Sequence, residues 1–189
     1  MIENKSDLLF YLHEDRIKYE LRHIWFQKMT SSEITFVWEF VRTLRFYEYY
    51  SNIHKNVFNI LPYLYYRFKY RRLKLKTGIY IEPNVFGAGL RIVHPGFIRA
   101  DSFVRTGKNC TILPMVLFGK KKPTIGNCKI NVGDNCYIGT GVTILGPVNI
   151  GNNVTIGAGS VVTHDIPDNT TVAGVPAKII KSKTQPLYK

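Results

Sequence analysis

Five histidines, three cysteines and a broad excess of basic residues are the groups in this 189-residue chain with chemistry to offer. An imidazole titrates near neutral pH and so suits proton transfer. His13, His23 and His54 are scattered through the first third and read as structural or surface residues, while His94 and His164 lie further on. Cys110, Cys128 and Cys136 are odd in number and lack metal-ligand spacing. They read as small buried hydrophobes in a reducing compartment. Asn109-Cys110-Thr111, Asn153-Val154-Thr155 and Asn169-Thr170-Thr171 match glycosylation acceptors, but they read better as corner asparagines and strand threonines.

The basic residues admit more than one use. The net charge is +13, shared as about +6 before Thr77 and +7 from there on. Such a balance suits an anionic cofactor or an anionic membrane surface, and nucleic acid is not an expected partner. Arg67, Lys69, Arg71, Arg72, Lys74 and Lys76 form a run without an acid, interleaved with Phe68, Tyr70, Leu73 and Leu75. One reading is a solvated helix face whose apolar residues pack on neighbouring structure. The other is contact of 67–76 with an anionic leaflet. No apolar run reaches the roughly 18 residues of a spanning helix, and Met1-Ile2-Glu3-Asn4-Lys5 has no signal-peptide character. The expected location is the cytoplasm, with the inner face of the membrane as a peripheral alternative.

The elements that must position these groups are set by a ladder. Val132, Ile138, Ile144, Ile150, Ile156 and Val162 lie six apart, and Gly133, Gly139, Gly151 and Gly157 follow four of them. A helix repeats at three and four and a strand at two, so a period of six marks a parallel β-helix. Each unit supplies one flat side and one corner, and about eighteen residues close a coil. Aliphatic side chains stack inward while Gly and Asn take the corners. Ile81, Phe86, Ile92 and Ile98 begin an imperfect version of the pattern. Val104, Ile112 and Phe118 continue it, with an insertion near Arg105-Thr106. Gly119 to Pro123 reads as a protruding loop before Ile125 resumes the repeat. The span predicts about five coils.

Residues 1–77 are different material, holding nineteen of the 25 aromatic residues together with Tyr80. Ser6-Asp7 suits the cap of a first helix through Leu8, Leu9, Leu12 and Tyr19. Thr30 and Glu33 are spaced as a capping box for a second helix, which carries Ile34, Val37, Trp38, Val41 and Leu44 on one face. A third, from Ile53 to about Leu75, should kink or break at Pro62. The expected organisation is an α-helical region over 1–77, a mainly β domain over 78–181, and a tail over 182–189.

Ile156 to Pro167, read with Ala173-Gly174-Val175-Pro176-Ala177-Lys178, closely resembles the hexapeptide-repeat acetyltransferases. Ile92-Val93-His94-Pro95-Gly96 looks like the active-site segment of the serine acetyltransferase branch. Trp38 to Arg45, with Glu48-Tyr49-Tyr50-Ser51-Asn52, looks like a sub-branch found in bacterial polysaccharide gene clusters. The resemblance implies a left-handed β-helix, a homotrimer, and acetyl-CoA bound between neighbouring subunits, with no metal. A metal enzyme of the carbonic anhydrase kind needs three histidines from the β-helix, and this region offers His94 and His164.

The resemblance also implies that His94 is the catalytic base, the alternative being a satisfied corner histidine. Its ring would take the proton of an acceptor hydroxyl attacking the thioester, and a backbone N–H would hold the oxyanion. Thr140, Ala158 and Thr163 stand at CoA-contacting positions, and Lys178 and Lys181 at positions that meet nucleotide phosphates. An ordinary solvated tail is the alternative for the two lysines. Lys120 to Lys122 could meet CoA phosphate or an anionic acceptor.

Two departures stand out. Val93 occupies a position usually Asp in serine acetyltransferases, and Lys122 a position usually His. The expected reaction is therefore O-acetylation of a sugar hydroxyl in a surface polysaccharide or its precursor, with a glycan as acceptor. The alternatives are serine or amino-sugar acetylation and a non-catalytic trimeric scaffold at the membrane surface.

Overall fold

The computed structural model describes residues 1–19, 33–122, 126 and 128–182. Three helices among these residues precede the β coil: α1 (Lys5–Ile17), α2 (Glu33–Asn52) and α3 (Val57–Thr77). Asn4, not Ser6-Asp7, caps α1, because its extended backbone turns the side-chain oxygen onto the Asp7 amide. Thr30, of the expected capping box, lies outside the described residues, as does His23. The expected face of α2 is buried at Val37, Val41 and Leu44, and Ile34 and Trp38 pack against the same core.

α3 runs unbroken through Pro62. A proline there removes one amide near the start of the helix, while a reciprocal Asn56–Asn59 box holds the first turn. Aromatic packing on α2 holds the rest. The Tyr66 ring stacks on Phe46 at 4.8 Å and on Tyr50 at 5.5 Å, and Tyr47 stacks on Tyr70 at 5.1 Å. α3 ends on Gly78 in the left-handed conformation, φ 73°.

From Ile79 the chain winds into three parallel faces. The first joins β1 (Ile79–Ile81), β3 (Ile98–Ala100), β6 (Val116–Lys120), β9 (Thr143–Gly146) and β12 (Val161–Val162). The second joins β4 (Val104–Thr106), β7 (Ile130–Val132) and β10 (Val148–Ile150), extended by bridges from Phe86 and Ile166. The third joins β2 (Arg91–Ile92), β5 (Thr111–Ile112), β8 (Tyr137–Ile138), β11 (Thr155–Ile156) and β13 (Thr170–Ala173). β14 (Lys178–Ser182) closes that face antiparallel to β13. All six members of the aliphatic ladder point inward and are buried. Asn109, Asn135, Asn153 and Asn169 share one left-handed corner and bond side chain to side chain up the stack.

The irregularities fall elsewhere than the spacing predicts. Val104 pairs with Ile130 and Thr106 with Val132, so no insertion sits at Arg105-Thr106. The extra residues are in two corners. One lies between β6 and β7, where Pro123 and Ile125 are outside the described residues. The other is the His94 corner. Ile92 aligns with Ile112 and Ile138, and Ile98 with Val116. Ile92 to Ile98 is therefore six residues where Ile112 to Val116 is four. A corner with two added residues must bulge.

Candidate active site

His94 sits on that bulge, directly above the end of α3. The Gly96 amide donates to the Thr77 carbonyl at 2.8 Å, and a Cβ on Gly78 would come within 3.1 Å of the Gly96 backbone. Gly96 has φ 145°, a conformation L side chains rarely adopt, and a Cβ there would meet Pro114 at 3.1 Å. Met115, on the next coil, is exposed and held at φ 66°. For a long side chain that is backbone strain stored beside the site.

The ring of His94 is oriented from outside the coil. Its Nδ1 lies 3.1 Å from Glu33 Oε2, on the first residue of α2, with both side chains exposed. With Nδ1 donating to that carboxylate, Nε2 is left as the basic nitrogen facing outward. The capping-box reading of Glu33 did not anticipate this pairing. No local spacing reveals a partner 61 residues away.

The strand beneath His94 is clamped by the same helices. Tyr19, just past α1, accepts from the Ile92 amide at 2.9 Å, and burial pushes its phenol well above the ordinary range. Arg45 of α2 is fully buried. It donates to Asp15 at 2.7 Å, to Glu48 at 2.9 Å, and to the carbonyls of Phe86 and Gly87 at 2.8 and 2.7 Å. Asp15 in turn accepts the amides of Gly89 and Leu90, each at 2.8 Å. The turn that feeds β2 is thus tied to α1 and α2 through one guanidinium, whose proton the two carboxylates hold more tightly than usual. Burial moves Glu48 upward in spite of that cation.

Two of the expected CoA-contact residues share the corner of His94. The Val93, Leu113, Gly139 and Gly157 amides each donate to the coil above, so His94, Pro114, Thr140 and Ala158 form one column. At a rise of about 4.8 Å per coil, Thr140 lies about 10 Å and Ala158 about 14 Å along the stack from His94. Thr140 and Ala158 are exposed, and their amides donate to no described residue. The Thr140 hydroxyl is committed to the Pro114 carbonyl at 2.8 Å. A column of outward amides over open corners fits an amide-bearing chain such as the pantetheine arm.

Thr163 stands elsewhere. It follows β12 at the far end of the first face, the end where Lys120 pairs with Gly146. Lys178 and Lys181 lie on β14, aligned with Ala173 and Thr171 and exposed. Lys178 therefore stands near the top of the Ala158 column. His164 is exposed. Cys110, Cys128 and Cys136 are buried, and burial pushes the Cys110 thiol up.

Residues 129–164 match the family model described as bacterial transferase hexapeptide, six repeats. The chain is 31% identical to the serine acetyltransferase of Bacillus subtilis over 105 residues, 55% of this chain and 48% of that protein. It spans about half or less of the length of such curated relatives, which range from 31% to 40% identity. Its fold superposes on the Neisseria gonorrhoeae serine acetyltransferase in complex with serine at a TM-score of 0.66. There the identity is 26%, over 94% of this chain and 70% of that one. A Brucella abortus serine acetyltransferase in complex with coenzyme A gives a TM-score of 0.69 at 22% identity, over 94% and 68%. Those likenesses carry the left-handed β-helix fold.

The comparisons overturn the sugar acceptor. These relatives are named for serine, and nothing in their names points to a polysaccharide. One feature that suggested it beside the departures at Val93 and Lys122, the run Trp38 to Asn52, supplies Phe40, Val41, Leu44, Arg45 and Glu48 to the buried interior of α2. Those residues report how a helix packs on a β coil. They carry no information about an acceptor.

Proposed function

We propose that this chain, whose residues 129–164 are a bacterial-transferase hexapeptide repeat, is an acetyl-CoA-dependent O-acetyltransferase of the serine acetyltransferase kind. Its acceptor is the hydroxyl of serine or a closely similar small molecule. The observation that carries the reading is His94, bonded through Nδ1 to Glu33, at the foot of the column that bears Thr140 and Ala158.

The donor brings a thioester whose carbonyl accepts an oxygen nucleophile. Nε2 of His94 removes the acceptor hydroxyl proton as the new C–O bond forms. The imidazolium is stabilised by Glu33 at Nδ1, which also fixes the tautomer. As the C–S bond breaks, the same proton passes from Nε2 to the departing thiolate. The column amides of Thr140 and Ala158 hold the pantetheine arm, and Lys178 and Lys181 meet the nucleotide phosphates. Glu33 supplies an orienting carboxylate to His94, whose segment has Val93 where serine acetyltransferases usually carry Asp.

Thr163 lies at the other end of the first face from His94, so one donor molecule meets both most simply across two copies. A homotrimer with its sites between subunits accounts for that arrangement. The test is thiol release from acetyl-CoA by the purified full-length chain. L-serine is expected to accelerate release far above the rate without acceptor, and the His94→Ala variant to abolish the acceleration. Equal rates with and without serine would overturn the proposal.

A further inference from the structure

One face of α3 is apolar and exposed. Phe58, Leu61, Tyr65, Phe68, Arg72 and Leu75 succeed one another at three and four residues and so form a single stripe along the helix. Phe58 is 90% exposed, Leu61 72%, Phe68 63% and Leu75 77%. The opposite face carries Tyr63, Tyr66, Tyr70 and Leu73 toward α2 and the core. A helix of the interior hides its apolar face. This one hides one and displays another.

The charge around the stripe is mainly cationic, and the acid that borders it is Glu39 of α2. α3 contains no Asp or Glu. Arg71 flanks the stripe on one side and Lys69 and Lys76 on the other, with Arg72 inside it. Lys69 is paired with Glu39, at 2.9 Å, and Lys74 with Glu82. Among the described residues no carboxylate pairs with Arg67, Arg71, Arg72 or Lys76.

We propose that this stripe docks the protein peripherally on an anionic phospholipid bilayer. Aromatic and aliphatic side chains with cationic flanks are what a helix needs to lie at the headgroup boundary. The rings enter the acyl edge, and the long basic side chains reach back to the phosphates. A second copy of the same face fits less well. Packing two such stripes together sets Arg72 and the flanking cations near their equivalents, and the helix has no carboxylate to receive them. No described helix is long and apolar enough to cross a membrane, so the contact is one of surface. α3 ends at Thr77, which accepts the Gly96 amide beneath His94, so the helix that docks is also the one against which the candidate site rests. The inference does not depend on the identity of the acceptor.

The test is cosedimentation of the full-length chain with vesicles of phosphatidylcholine alone and with about one-third phosphatidylglycerol. Binding to the anionic vesicles is expected to exceed that to neutral ones by about tenfold and to weaken as salt is raised. The Leu61→Glu, Phe68→Glu double variant is expected to lose binding with native mass and circular dichroism unchanged. Arg71→Gln with Arg72→Gln, both at exposed sites, should weaken binding and provides the same reading if the first variant misfolds. Equal binding to both vesicle types overturns the proposal, as does wild-type binding by either variant. A smaller native mass for the Leu61→Glu, Phe68→Glu variant, without vesicle binding by the wild type, assigns the stripe to contact between copies instead.

Discussion

At the scale of single residues, the site rests on a hydrogen-bonded pair that is exposed on both sides. His94 and Glu33 meet at 3.1 Å with side chains 60% and 69% exposed. Such a pair adds little to stability, so its value lies in orienting a ring. Replacing His94 by Ala is expected to lower kcat by about 10²- to 10⁴-fold, the usual contribution of a general base. Glu33→Gln keeps a hydrogen-bond partner but removes the charge beside the imidazolium. It is expected to lower kcat by about tenfold with KM for acetyl-CoA unchanged. An unaltered kcat in that variant would show the contact to be incidental. Gly96→Ala forces a positive-φ backbone and a 3.1 Å approach to Pro114. It should impair kcat more than the melting temperature, because the corner is displaced while the coil is not.

At the scale of elements, the helices hold the coil that carries the chemistry. Arg45 bonds Asp15, Glu48 and two backbone carbonyls of the turn before β2, all in the dry interior. Arg45→Met leaves two buried carboxylates without their cation, a loss of about 3–5 kcal/mol in pairs of this type. Thermal unfolding is expected to move down accordingly, and an unchanged midpoint would contradict the clamp. The phenols of Tyr19 and Tyr70 make a second prediction. Burial raises both above the ordinary phenol value of 10.0, so folding favours the neutral ring. Their contribution is fully present below about pH 10 and is lost as pH rises from there toward the folded-state values. Melting temperatures are expected to hold between about pH 8 and 9.5 and to fall above pH 10, with Tyr19→Phe weakening that dependence.

At the scale of the whole molecule, a coil open along its corners needs neighbours to enclose a ligand. His94, Thr140 and Ala158 share one corner, while Thr163 and the Lys120 end of β6 lie across the first face. Light scattering is expected to give three times the 21.7 kDa chain mass, roughly 65 kDa. A monomer that retains full activity would remove the reason for placing the site between copies. How the basic run divides also belongs to this scale. Tyr70 and Leu73 turn inward against α2 and the coil, as a solvated helix face packed on its neighbours requires. Phe68 and Leu75 turn outward with the arginines. Residues 67–76 thus pack on the core along one side of the helix and leave the other side open for the proposed lipid contact.

What could be read from the chain itself was what is periodic or local. The ladder from Val132 to Val162 specifies the inward face of each coil, because a repeat writes its geometry into every unit. The α2 face at Val37, Val41 and Leu44 follows from helical spacing in the same way. The segment around His94 was recognisable by its residues, and its column with Thr140 and Ala158 follows once coils are stacked. The failures share a cause. Pro62 is tolerated because the Asn56–Asn59 box holds the first turn and rings of α2 hold the rest of the helix, and Asn4 outcompetes Ser6 because its backbone is extended there. The two added residues that make His94 protrude are invisible until Ile98 is seen beside Val116. Glu33 and Arg45 reach partners across 61 and 41 positions, and such contacts leave no trace in spacing. Local pattern determined the coil and marked the histidine. Tertiary structure alone decided which carboxylate orients it, which corner bulges, and which face of α3 is left for a partner, because chain folding creates those proximities.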